Sequence, residues 1–143
     1  MESKGFNPWK NVDSFGEHLF TNKGSELLQW PIKLWKVSPT SPYFHQAHLL
    51  VAADCSAFSY PEFHQYLSRG KVPVICCPES DFDIVSKLEK IFSLNEICSV
   101  TVVKMDKPCC EELTDYVRQA VKVSRLPVPI KTTCLFVDAE EID

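Results

Sequence analysis

The run Leu49-Leu50-Val51-Ala52-Ala53 is apolar at every position until it meets the carboxylate of Asp54. A strand with one solvated face alternates apolar and polar residues, whereas one covered on both faces does not. The run therefore predicts a central strand of a parallel sheet, and a parallel sheet demands crossover connections, which are usually helices. The rest of the chain supplies them. Lys71 to Cys77 and Ser99 to Met105 are further β-branched or apolar runs, and Lys131 to Val137 is another. Between them, Ile84, Val85, Leu88, Ile91 and Phe92 repeat at the spacing of one helix face, as do Leu113, Tyr116, Val117, Ala120 and Val121. Ile32-Lys33-Leu34-Trp35-Lys36-Val37 alternates apolar and basic, which predicts a half-exposed edge strand. The expectation is a three-layer α/β domain of Rossmann-like or flavodoxin-like kind, with a mainly parallel sheet of about five strands.

Shorter signals mark the boundaries. Residues 1–24 scatter Phe6, Trp9, Phe15 and Phe20 without period and read as an irregular aromatic arm. Residues 25–138 form the single α/β domain, and 139–143 an acidic tail. Ser25 to Pro31 suggests one helical turn stopped by proline, and Tyr43 to Ala47 another. Pro61 opens a short helix over 62–68, closed by Arg69-Gly70. Asp81 or Asp83 is placed to cap the helix that follows.

Cysteine usage is the chemical signal. Seven cysteines in 143 residues is many, and an odd number cannot complete a disulfide framework. The start, Met1 to Phe6, lacks the apolar core of a signal peptide, and no run approaches a membrane span. A cytoplasmic location, where thiols stay reduced, is the expectation. A net charge of −4 gives no nucleic-acid footprint. With four glycines and no G-x-G-x-x-G, a nucleotide cofactor is disfavoured.

The cysteines sort by position along the strands. Cys55, Cys76-Cys77 and Cys109-Cys110 all follow strand carboxyl ends, where open α/β sheets gather their ligands. Cys98 precedes its strand and Cys134 lies inside one, so both are expected to be remote from the others. Cys76 and Cys77 must point to opposite faces while the strand persists, and Cys76 is the expected core member. Lys107-Pro108-Cys109-Cys110-Glu111-Glu112 places two thiols where a strand hands over to a helix. Unpaired N–H groups and the positive end of the helix dipole stabilise thiolates there.

Three readings stay open at this level. The thiols could ligate zinc or an iron–sulfur cluster, although the chain has no C-x-x-C spacing. They could be small hydrophobes at strand ends. They could do thiol chemistry, for which Cys55 beside Asp54 with His64 on the next helix is the best trio.

Several stretches carry a family resemblance. Ser-Glu-Leu-Leu-Gln-Trp-Pro (25–31), Ala-Asp-Cys-Ser-Ala-Phe (53–58) with Phe63-His64, Cys77-Pro78, Ser-Val-Thr-Val-Val-Lys-Met (99–105) and Pro-Cys-Cys (108–110) occur in that order. The segment from Ser25 to Val123 resembles the domain that follows the ferredoxin module in anaerobe dicluster [4Fe-4S] ferredoxin-like proteins. The ferredoxin module itself is missing here, and Thr21-Asn22-Lys23-Gly24 stands where a cysteine-rich segment is expected. Cys76 and Glu111-Glu112 also depart from the pattern. The resemblance implies a metal or iron–sulfur role for Cys55, His64, Cys77, Cys109 and Cys110. It also implies anaerobic electron transfer with a redox partner such as a ferredoxin. The alternative is a metal-free thiol-redox or protein-interaction module on the same fold.

Overall fold

The computed structural model describes residues 27–138. The aromatic arm, residues 25 and 26 of the domain, and the acidic tail lie outside the described residues. Among those described, one sheet of four parallel strands runs in the order β2-β1-β3-β4. The strands are β1 (Ala47–Ala53), β2 (Val72–Cys76), β3 (Ile97–Met105) and β4 (Ile130–Leu135). The apolar Leu49–Ala53 run is central as expected, paired with β2 on one side and β3 on the other. Its alternate residues enter two different cores, which is why the run needs no polar positions.

One core faces the long helices, α2 (Ile84–Leu94) and α3 (Leu113–Ser124). Leu49, Val51 and Ala53 pack there with Val74, Val100 and Val102, against Ile84, Leu88, Ile91, Val117 and Ala120. The other face is covered more thinly. After β1 come the single turn α1 (Ser56–Ser59) and a six-residue π-helical stretch, Phe63–Ser68. Only Phe63, with half-buried Tyr60 and Leu67, packs onto Leu50, Ala52 and Val103. The β1-to-β2 connection thus crosses one face while α2 and α3 cross the other, as right-handed crossovers require for this strand order. The sheet has helical cover on both faces, with both long helices on the same one.

The fifth expected strand is reduced to a single parallel bridge, Lys33 to Ile75. Leu34 N–H donates to Ile75 O at 2.9 Å and Ile75 N–H to Ile32 O at 2.9 Å. Beyond it the chain turns: Val37 N–H reaches back to Lys33 O, and the buried residues are Leu34 and Val37, three apart. Trp35 turns outward, with Phe82 at 5.8 Å between ring centroids and Lys87 Nζ 5.5 Å over its ring. The alternation that suggested a strand was a turn with lysines on its wet side.

Other boundaries shift for local reasons. The turn near Tyr43 is a 3-10 turn, Pro42–Phe44, with Ser41 Oγ accepting from Tyr43 N–H. Gly70 adopts φ +78° where the π-helical stretch ends, a conformation that suits glycine. Asp83 occupies the N-cap of α2 in a left-handed conformation, φ 56°, without a side-chain cap bond. Asp81 does different work, described below. No helix among the described residues is long and apolar enough to cross a membrane.

Candidate functional site: a thiol edge at the sheet's switch point

The strand order reverses direction between β1 and β3, so the chain leaves their carboxyl ends towards opposite sides of the sheet. Ligands of open α/β sheets lie at that crevice. Each loop there is pinned by its own short-range bonds. Asp54 N–H donates to Cys76 O at 3.0 Å, extending the β1–β2 ladder by one residue. Cys55 follows, its carbonyl accepting from Ser59 Oγ at 2.9 Å, while buried Ser56 Oγ donates to Ala53 O at 2.6 Å. After β2, Cys77 and Asp81 close a loop on each other. Cys77 N–H donates to Asp81 Oδ2 at 2.9 Å, and Asp81 N–H to Cys77 O at 2.8 Å.

After β3, Pro108–Cys110 forms a 3-10 turn, closed by Cys110 N–H to Lys107 O at 3.0 Å. The vicinal pair therefore does not sit in the first turn of α3, which begins at Leu113 with Glu112 at its N-cap. The 3-10 turn opened by Pro108 precedes the helix, and the two thiols within it stay in contact, Cys109 sharing a side-chain hydrogen bond with Cys110. Cys110 is 3% exposed and joins the helix-side core. Cys109 is half-buried. A hollow of about 230 Å³ lined by Cys109, Pro108 and Glu112 with Pro78 and Glu79 joins the turns after β2 and β3.

The thiols feel one another across these loops. Cys55 is exposed, yet partial desolvation is the first cause raising its thiol pKa; the charges of Asp54, Cys109 and Cys77 follow, with a hydrogen bond to Asp54. Burial pushes the Cys110 thiol up to about 11. A backbone hydrogen bond at Met105 opposes the rise, whereas Cys109 and Cys55 add to it. Cys76, 0% exposed, is pushed up to about 12 by burial and then by Asp81, Asp54 and Cys77, with Lys33 opposing. Cys55, Cys77, Cys109 and Cys110 thus share one electrostatic neighbourhood, drawn from three separate crossovers. Among the described residues, no three His, Cys, Asp or Glu side chains stand in a ready-made ligation geometry.

The remaining candidates fall elsewhere. His64 lies on the exposed side of the π-helical stretch, its Nδ1 3.0 Å from Ser68 Oγ and its ring edge-on to Phe63. Those neighbours are not thiols. Cys98 is at the amino edge, as expected, but inside β3 instead of before it, its Sγ donating to Gln46 O at 3.4 Å. Cys134 is not remote. It pairs in register with Lys104 and lines a hollow of about 270 Å³ with Met105, Lys107 and Pro108, beside the Pro-Cys-Cys turn. Its position inside a strand hid this, because β4 ends only one residue later. Another hollow, about 450 Å³ between Asp81–Ser86, Glu89 and Tyr116, is lined by no cysteine.

Two site residues escaped the sequence reading. Lys33 Nζ stands 3.6 Å from Asp54 Oδ2, brought there by the bridge to Ile75. The loop-closing role of Asp81 had a usable signal, an aspartate four residues after Cys77 across a Pro-Glu-Ser turn.

A parallel sheet with helical cover on both faces and loops converging at a switch point defines a doubly wound α/β domain. The sequence comparison agrees: residues 41–143 match the family model described as "Rossmann-like domain", and the chain belongs to that family. It is also similar to an uncharacterized protein of Archaeoglobus fulgidus, 27% identical over 97 residues, covering 66% of this chain and 68% of the relative. No solved structure matches.

Proposed function

We propose that the carboxyl edge binds a soft metal ion or an iron–sulfur cluster through Cys55, Cys77, Cys109 and Cys110, and that the domain works in anaerobic electron transfer with a redox protein such as a ferredoxin. The observation carrying this reading is the convergence of four thiols, from three crossovers, at the switch point of the sheet. The donor chemistry fits: thiolate sulfur selects zinc, copper(I) and iron–sulfur clusters over hard cations. Among the described residues no three such side chains already stand at ligation spacing, so binding would have to draw the thiols together. His64 is left out of this donor set, its ring being engaged by Ser68.

Metal-free thiol chemistry has weaker support. Reactive cysteines owe their reactivity to a lowered pKa, produced by nearby positive charge. Here the resolved shifts are upward, and the causes include carboxylates and neighbouring thiols. A bound cation reverses that local balance, since a coordinating thiol is deprotonated outright. A cluster would supply a one-electron centre, and zinc a structural tie or Lewis acid. The protein's part is to hold the three loops in register through the Cys77–Asp81 and Ser59–Cys55 bonds, and to present Cys55 at the surface. The partner reading rests on the sequence resemblance of residues 25–123 to the domain that follows the ferredoxin module.

Anaerobic purification with metal analysis and a visible spectrum is the test. Iron with labile sulfide and broad visible absorption selects the cluster, and zinc without colour the mononuclear site. Metal-free protein that does not take up iron and sulfide, Zn²⁺ or Cu⁺ under reducing conditions overturns the reading. Titration with a reduced ferredoxin under argon tests the partner.

A further inference from the structure

The loop from β2 into α2 leaves a phenyl ring in water at the rim of a hollow. Phe82 is 76% exposed and stands against Trp35, itself 44% exposed. Single exposed apolar residues are ordinary, but Phe82 lines a hollow of about 450 Å³ between the start of α2 and α3. Half-buried Val85 and Tyr116 give that hollow apolar walls, and Asp81, Asp83 and Glu89 bring carboxylates to it. The Tyr116 hydroxyl donates to Glu112, so the ring is what Tyr116 offers.

Charge decides what such a hollow accepts. Asp81 accepts from Cys77 N–H at 2.9 Å, and Asp83 makes no cap bond. Neither Asp83 nor Glu89 forms an ion pair among the described residues. Lys87 turns its ammonium over the Trp35 ring, 5.5 Å from the centroid, so a cation already rests on this aromatic pair. The first turn of α2 opposes the carboxylates with the positive end of its dipole, worth about half a charge. Three carboxylates outweigh it, and the hollow is net negative. A neutral apolar occupant would bury those charges unpaired, which is costly. A guanidinium suits both kinds of wall, because its plane stacks on a ring while its N–H fork bonds to carboxylates. An ammonium is more strongly hydrated and lacks the fork.

We propose that this hollow is a docking site for an arginine on a basic segment of a partner protein, the guanidinium lying between the Phe82 ring and the carboxylates of Asp83 and Glu89. Aromatic and arginine side chains are the usual anchors of protein interfaces. The placement is useful, because Asp81 both lines the hollow and closes the Cys77 loop, so a partner docked here lies beside the thiol edge. The inference goes beyond the metal reading and needs no bound metal. Either can fail while the other stands.

The test titrates the reduced, metal-free full chain at low salt with short peptides that are alike except for arginine, lysine or citrulline at the same positions. Citrulline keeps the shape of arginine and lacks its charge. Amide shifts in heteronuclear NMR locate the contact and give the affinity. The arginine peptide should move the amides of residues 81–86, Glu89 and Tyr116, and bind more tightly than the lysine peptide, while the citrulline peptide does not bind. Phe82→Ala and Glu89→Gln should each weaken arginine-peptide binding by about two- to fivefold, one exposed contact converted at tenfold per 1.4 kcal/mol. Glu62→Gln removes an exposed charge from the connection across the opposite face of the sheet and should change nothing. Equal binding of the arginine and citrulline peptides, shifts centred elsewhere, or no binding at low salt overturns the inference. So does Glu62→Gln weakening binding as much as Glu89→Gln while Phe82→Ala has no effect, the mark of general charge attraction. Should Phe82→Ala be unstable, Phe82→Leu removes the ring and keeps most of the bulk.

Discussion

Cys76-Cys77 and Cys109-Cys110 are the same dipeptide in two settings. In each pair one thiol is buried, Cys76 at 0% and Cys110 at 3% exposed, and its neighbour is half-buried. Cys76 closes a regular strand, so alternation alone sends it into the helix-side core and Cys77 out of it. Cys110 lies in a 3-10 turn, where no alternation applies, and reaches the same core by the shape of the turn. Their neighbours differ. Around Cys76 stand Asp81, Asp54, Cys77 and Lys33, a mixed set anchored on its own loop. Around Cys110 stand Cys109 and, across the switch point, Cys55. Burial therefore does not distinguish a packing thiol from a ligand thiol. The neighbours differ, and under the proposed metal reading Cys110 would serve both roles where Cys76 serves the core.

Substitution should separate the pairs most sharply. Cys110→Ser is expected to weaken metal uptake at least ~100-fold, more than the loss typical of outer-shell partners, whereas Cys76→Ala should leave it within a few-fold. Metal content after anaerobic reconstitution reads this directly, and the opposite ranking would end the proposed division of roles.

Stability should follow burial instead of ligation. Cys76→Ala removes a small buried hydrophobe and is expected to cost about 1–2 kcal/mol in denaturant unfolding of the metal-free protein. Cys98→Ser, at the exposed amino edge, should stay within about 0.5 kcal/mol. Equal costs would mean that Cys76 is not packed as described.

The pH dependence is a third discriminator. Unfolded thiols release protons near 9.0, while folded Cys110 and Cys76 hold theirs to about 11 and about 12. The folded state binds more protons over that interval, so stability is complete below pH 9 and falls as pH rises through it. The slope is at most about 1.4 kcal/mol per pH unit for each group. Melting of the metal-free protein should drop above pH 9, and Cys76→Ala should flatten the drop, most visibly towards pH 12. A wild-type melting temperature flat from pH 9 to 11 would contradict the burial of both thiols.

The smallest effect concerns Lys33. Its pair with Asp54 is half-exposed, and such pairs contribute about 0–1 kcal/mol. Because Lys33 opposes the rise of the Cys76 pKa, Lys33→Met should push that titration higher still. Alkylation of Cys76 in partially denaturing buffer, followed against pH, would detect the change. No shift in the profile would detach Lys33 from the site.

What the chain determined by itself were the features that depend on local period. An unbroken apolar run, Leu49–Ala53, is compatible with few environments, and it lies at the centre of the sheet. The stripes Ile84–Phe92 and Leu113–Val121 are buried on the predicted faces because side-chain direction follows from the backbone repeat. Cys76 in the core was legible for the same reason. Ile32–Val37 misled because a short alternation of lysine and apolar residues suits an edge strand and a turn equally well; one bridge to Ile75 decided between them. Tertiary structure alone decided which of the strand ends that carry the cysteines are neighbours. Cys55, Cys77, Cys109 and Cys110 come from loops separated along the chain, and strand order, which no local pattern encodes, brings their carboxyl ends side by side. The nearness of Cys134 to that edge and the Lys33–Asp54 pair arise in the same way. Each depends on what packs against a residue, and packing partners come from distant sequence.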